Sequence, residues 1–183
     1  MKSISLLILL LFLSCNSQDQ ETTADEQLYT YDIEERIREL NIELPLTIKP
    51  VANYLHAVKT GNLVFMAGKG PRTSEGTLVT GKLGIDLTVE QGYEAARWVA
   101  IAQLSALKEQ IGDLNKVEQI VKVLGMVNSS SEFTDHPEVI NGFSDVMVEV
   151  FGERGKHARA AVGMVSLPRN IACEIEMIVQ VKD

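Results

Sequence analysis

The chain is poor in the residues that most often hold structural metals, with two cysteines and three histidines in 183 residues. His56, His136 and His157 are scattered, and no His or Cys pair has ligand spacing, so no metal site is expected. Beyond Cys15 near the N-terminus, only Cys173 remains, which leaves no intramolecular disulfide for a mature domain. Cys173 alternates with Glu174 and shares a strand face with Ile175 and Met177, so it reads as a small core residue rather than a nucleophile. Basic residues are few: 17 Lys and Arg against 25 Asp and Glu give a net charge of −8, with no basic cluster. That excludes the cationic stripe that neutralises phosphates, and no nucleic-acid partner is expected. Aromatic residues make up only 5%, and Tyr93 and Trp98 read as packing rather than as a stacking platform. Neither a G-x-x-x-x-G-K-[ST] loop nor a dinucleotide fingerprint occurs among the glycines. No Ser-His-Asp or Cys-His set can be assembled.

Long apolar runs are also scarce. The one that stands out, residues 4–13, is too short to cross a bilayer and follows Lys2, as in an export signal. Phe12-Leu13-Ser14-Cys15 resembles a bacterial lipobox, in which the cysteine thiol is lipidated and becomes the new N-terminus. Several acyl chains on Cys15 would hold the protein stably at a membrane. The expectation is a signal peptide over 1–14 and a lipid anchor in the bacterial cell envelope, facing periplasm or exterior. A plain signal peptide with an incidental Cys15 is the alternative. Residues 15–30 are polar and acidic and are expected to form a disordered tether, leaving 31–183 as one domain.

A hydrophobic fraction of 45% is enough for a core. Asp32 with Glu35 has capping spacing and opens a short helix with Ile33, Ile37 and Leu40 on one face. Strands are expected over 54–58 and 63–67, joined by the turn Lys59-Thr60-Gly61-Asn62. The second strand is apolar at consecutive positions, which suits a strand covered on one face by helices and on the other by a neighbouring subunit. Thr88 with Gln91 opens the longest helix, to about Ile111, with Ala96, Val99, Ala100, Gln103, Leu104, Leu107 and Ile111 as its buried stripe. A strand follows over 116–127. A second long helix has Asp135 or Thr134 as its cap and Pro137 in its first turn, and turns Val139, Ile140, Phe143, Val146, Met147 and Val150 inward. Strands over 160–166 and 172–181 complete a ββαβαββ order: α+β, a single mixed β-sheet with two helices on one face.

Arg159 precedes one of the last two strands and Glu174 lies in the other. An arginine flanked by small residues can present its fork to a planar carboxylate, and a nearby acid can position water. An ion pair between adjacent strands is the plainer alternative, roughly 0–1 kcal/mol if exposed. His157, next to Arg159, reads as a surface residue ahead of a strand.

Five segments carry a family resemblance, in order: VANYLHAVKTGNLVFMAGKGP, GKLGIDLTVEQGYEAARWVAIAQLSALKEQIGDLNKV, VKVLGMVNSSSEFTDHPEVINGFSDVMVEVFGE, GKHARAAVGMVSLP and CEIEMIV. From Val51 onward the chain resembles the RidA/YjgF proteins, 2-imino acid and enamine deaminases and their relatives. The resemblance implies a chorismate-mutase-like fold, a homotrimer with interfacial pockets, and hydrolysis of a C=N bond without metal or organic cofactor. It makes Arg159 the clamp on a substrate carboxylate and Glu174 the acid that positions water. Tyr54, Gly68, Asn141 and the position of Ala161 would line the pocket. Ala67 and Ala161 stand where the resemblance implies Ser and Cys. The implied partner is a small carboxylate metabolite. Non-catalytic binding of such a metabolite at the same pocket is the alternative reading.

Overall fold

Helix starts follow local capping chemistry. Asp32 precedes α1 (Ile33–Glu39), and its side chain accepts the Glu35 N–H at 2.8 Å. Thr88 opens α2 (Val89–Ile111) with a reciprocal box: Gln91 N–H donates to Thr88 Oγ1 at 3.3 Å, and Thr88 N–H to Gln91 Oε1 at 2.9 Å. Both satisfy amide groups that a helix start leaves unpaired. α3 (His136–Phe151) begins with Pro137 in its first turn, but Asp135, though at the cap position, makes no side-chain capping bond. The computed structural model describes residues 28–47 and 52–182. The expected signal segment and Cys15 lie outside them.

Five strands, β1 (Ala57–Thr60), β2 (Leu63–Lys69), β3 (Val117–Asn128), β4 (Ala158–Met164) and β5 (Cys173–Val181), form one sheet in the order β1-β2-β5-β3-β4. β3 and β4 run parallel, joined through α3, while every other pairing is antiparallel. α2 and α3 pack on each other and on one face of this mixed sheet. With the short α1, three helices accompany it. This is the chorismate-mutase-like α+β arrangement.

Alternation sorts the core. Val64 and Met66 of β2, Val123 and Val127 of β3, and Cys173, Ile175, Met177 and Val179 of β5 are buried. The α2 and α3 stripes expected from periodicity meet them, and their apolar members are buried except Ile111, which at the last turn of α2 is only partly covered. Truncating one of them, such as Leu104→Ala, is expected to cost about 2–5 kcal/mol. The helices approach closely at Gly142, where an added Cβ would lie 2.1 Å from the Tyr93 carbonyl oxygen. Across the sheet, the second face of the apolar run of β2 is left partly exposed within the chain. Phe65 is 43% exposed, and its neighbour Val58 on β1 is also exposed. The face away from the helices is therefore open within one subunit.

Three boundaries differ from the sequence reading. The ordered domain starts before residue 31: Tyr29 is buried, stacks at an angle on Phe151 and donates its hydroxyl to the Val117 carbonyl at 2.6 Å. β1 starts at Ala57, so Tyr54 lies in a loop. Pairing with β2 ends there because β2 bulges between Met66 and Lys69. β4 begins at Ala158, where parallel pairing to Lys122 starts, and Arg159 is inside the strand rather than ahead of it.

Candidate functional site

Arg159 reaches from β4 to α3. Its Nη1 donates to Asn141 Oδ1 at 2.9 Å and to Ser144 Oγ at 3.0 Å, and its Nη2 to the Pro137 carbonyl at 3.5 Å. All three acceptors are neutral, and Arg159 forms no ion pair among the described residues. The guanidinium is thus oriented without having its charge cancelled. Asn141 and Ser144 are one helical turn apart on α3, which puts both on the face that meets β4.

His157 continues the chain of bonds. Its Nδ1 is 2.7 Å from the Gly155 carbonyl oxygen, which can only accept, so Nδ1 carries the proton. Nε2, 3.1 Å from Ser144 Oγ, then accepts the serine proton, while the serine oxygen accepts from Arg159. Burial, and secondarily the Arg159 charge, push the imidazole below its ordinary pKa. The expected surface residue is instead a half-buried, neutral support for the arginine. Ala161 lies two residues on, pairs with Gly125 and packs against the core, offering no polar group.

Glu174 stands elsewhere. Arg159 is registered on Val123 and Glu174 on Met126, three residues apart in a regular stretch of β3. An odd offset puts the two side chains on opposite faces of the sheet. The Arg159–Glu174 ion pair between adjacent strands is therefore corrected: β3 separates β4 from β5, and the side chains diverge.

What does meet Glu174 is the bulge of β2. A Cβ at Gly68 would lie 2.3 Å from Glu174 Oε1, so the carboxylate packs directly on bare backbone. Gln103 of α2, fully buried, fixes that bulge by donating from Nε2 to the carbonyls of Ala67 at 2.9 Å and Ile175 at 2.8 Å. Burial, then the charge of Glu176, push the Glu174 carboxyl above its ordinary range. Glu174, Gly68 and Tyr54 line one cavity of about 860 Å³. Tyr54 is 52% exposed and edge-on to His56 at 6.5 Å between ring centroids. Lys69 Nζ, in the same cavity, is 3.0 Å from His56 Nδ1, and burial lowers its pKa. Trp98, expected in packing, is a wall of this cavity.

The six residues expected in one pocket thus form two clusters: Arg159, Asn141 and Ala161 on the helix side at β4, and Glu174, Gly68 and Tyr54 around the β2–β5 end. Ser144, His157, Lys69 and Trp98 join them in the structure. Of these, Ser144 carried a sequence signal, its i+3 spacing from Asn141; Lys69 carried none. Among the described residues, no group of three or more His, Cys, Asp or Glu is placed to hold a metal ion.

The family described as "YjgF/chorismate_mutase-like, putative endoribonuclease" matches residues 34–181, which contain both clusters. The chain belongs to this family. It is 39% identical over 148 residues to Protein TCP17 of Trypanosoma cruzi, covering 80% of this chain and 92% of that protein. It is 32% identical over 142 residues to a 2-iminobutanoate/2-iminopropanoate deaminase of Dermatophagoides farinae, covering 77% and 95%. Among solved structures, Atu1372 of Agrobacterium tumefaciens, described as of unknown function, superposes with a TM-score of 0.75 at 41% identity, covering 82% of this chain and 94% of that one. A "putative endoribonuclease" of Shewanella oneidensis gives 0.79 at 30% identity, covering 82% and 100%.

Proposed function

We propose that this YjgF-family protein hydrolyses a 2-imino acid to a 2-keto acid and ammonium, in a pocket completed by neighbouring copies of the chain. The observation that carries the reading is Arg159, held by three neutral acceptors with its charge uncompensated. Such a fork suits a substrate carboxylate, which it grips in two parallel hydrogen bonds. Glu174, whose carboxyl burial and then the Glu176 charge push above its ordinary range, is a stronger base than an exposed carboxylate and suits proton transfer with water. It takes a proton from water as the water oxygen bonds to the imine carbon. That proton passes to nitrogen, giving a tetrahedral amino alcohol. Glu174 then takes the hydroxyl proton and returns it to nitrogen as the carbonyl forms and the C–N bond breaks, and the released ammonia becomes ammonium with a proton from solvent. The imine is already electrophilic, so positioning supplies most of the catalysis.

Arg159 and Glu174 diverge within a subunit, so a site using both takes each from a different copy. The exposed Phe65 and Val58 on the open sheet face offer an apolar surface for that contact, and a homotrimer is the assembly proposed. A nuclease is the poorer reading, since a chain of net charge −8 is badly suited to phosphate backbones. A lipid anchor at Cys15 would place the reaction in the cell envelope.

The test pairs an imine-hydrolysis assay with calorimetry of keto-acid binding. Arg159→Ala and Arg159→Lys should each lose nearly all turnover, because lysine cannot reproduce the fork. Glu174→Gln should bind keto acid yet lose rate. The second reading, a non-catalytic carboxylate binder, is favoured by the apolar Ala67 and Ala161. It predicts no turnover above the uncatalysed rate in the unsubstituted protein, but loss of keto-acid affinity in Arg159→Ala. Unchanged binding and turnover in Arg159→Ala would make this arginine structural.

A further inference from the structure

The Glu174 cavity is far larger than a small imine requires. At roughly 30 Å³ for each water-sized unit, a three- or four-carbon imino acid fills on the order of 100–150 Å³. The cavity holds about 860 Å³. The surplus space has mostly apolar walls from three directions. α2 contributes Trp98, Ile101 and Ala102, on one flank of the helix. Leu78 comes from the loop after β2, and Ile171 from the segment before β5. Leu44 belongs to the arm 41–47, which closes the outer side. That arm is fastened to α2: the Ser105 hydroxyl bonds the Pro45 carbonyl, and Thr47 Oγ1 lies 3.3 Å from Ser105 Oγ.

We propose that this surplus is a side-chain chamber, and that the substrate is a 2-imino acid with a bulky branched or aromatic apolar side chain. The inference rests on the imine-hydrolysis reading for the location of the reacting carbon near Glu174. The rest follows from the walls. A wall of Trp, Ile and Leu gains from each methylene it removes from water and offers a short methyl nothing to touch. Lys69, Arg72 and Arg169 also line the cavity, so an acidic side chain is the competing occupant. Arg72 gives one donor to the Gly76 carbonyl at 2.6 Å and keeps its charge, so the choice rests on the walls of Trp98, Ile101, Leu78 and Ile171, which favour the uncharged occupant.

The experiment measures binding of four keto-acid products by calorimetry: pyruvate, 4-methyl-2-oxopentanoate, phenylpyruvate and 2-oxoglutarate. Turnover of the corresponding imines is measured in parallel. The two apolar keto acids should bind at least tenfold more tightly than pyruvate or 2-oxoglutarate. Ala102→Phe, which fills the chamber, and Trp98→Ala, which removes a wall, should each cut that preference severalfold; the second covers the case in which the first does not fold. Pyruvate binding as tightly as phenylpyruvate, 2-oxoglutarate binding tightest, or a preference unmoved by a folded variant would overturn the proposal. Absence of turnover with the apolar preference retained would instead overturn imine hydrolysis and leave the chamber standing.

Discussion

Arg159 and Glu174 point away from each other across one sheet, because their partners on β3, Val123 and Met126, are an odd number of residues apart. In the proposed site the oriented cation and the raised-pKa acid of one chain would therefore belong to two different half-sites. In a cyclic assembly each contact would join one half-site to its complement on the next copy.

Mixing two inactive variants tests this directly. Arg159→Ala keeps the acid, and Glu174→Gln keeps the clamp. Co-refolded in equal amounts, they form hybrid interfaces in which one contact in roughly four pairs an intact clamp with an intact acid. Activity should return to about a quarter of the unsubstituted value, and light scattering should report three subunits. Two variants that remain inactive when mixed would mean that each chain needs both groups for itself.

Gly68→Ala should separate activity from stability. The added methyl would fall 2.3 Å from Glu174 Oε1, at the movable end of a side chain rather than against backbone. Glu174 can swing aside, so unfolding free energy should change by less than about 1 kcal/mol. Turnover should nonetheless fall at least tenfold, because the acid has left its position. A large loss of stability would show that the close approach serves packing instead.

His157 should make the fold acid-sensitive. Burial holds its folded-state pKa below the ordinary 6.5. Between that ordinary value and the lower folded value, the unfolded chain takes up a proton that the folded chain refuses. Stability is therefore lost as pH falls through this window and is unaffected above it. Glu174, with its raised value, contributes with the opposite sign, but it does so equally in a His157→Gln variant. Urea midpoints of the two proteins at pH 7.5, 6.5 and 5.5 should show the unsubstituted protein losing ground to the variant as pH drops. A difference independent of pH would mean that His157 carries no penalty on protonation.

Cys15 is expected to be the lipidated N-terminus. Mass spectrometry of the membrane fraction should find an acylated Cys15 with residues 1–14 removed, and Cys15→Ser should shift the protein out of that fraction. A soluble product cleaved elsewhere, with a free Cys15 thiol, contradicts the anchor.

Local chemistry written in the sequence was enough for much of the framework. The caps at Asp32 and Thr88, the buried stripes of α2 and α3, the strand identities and the core position of Cys173 all follow from spacing within a few residues. The same local patterns could not say that Phe65 would be left uncovered, because an apolar run does not reveal whether its second cover lies in the same chain. Nor could they place Arg159 and Glu174 on opposite faces. That depends on the register of two strands against a third, and a one-residue slip would reverse it. His157 reads as a surface residue until the fold brings Ser144 to it, thirteen positions back in the chain. Tyr54 reads as part of a strand until the β2 bulge removes its pairing partners. Residue types and their short-range spacing determined the elements and the candidate side chains. Only tertiary pairing decided which of those side chains share a space, because contacts between distant segments are set by the whole sheet and not by any window of its sequence.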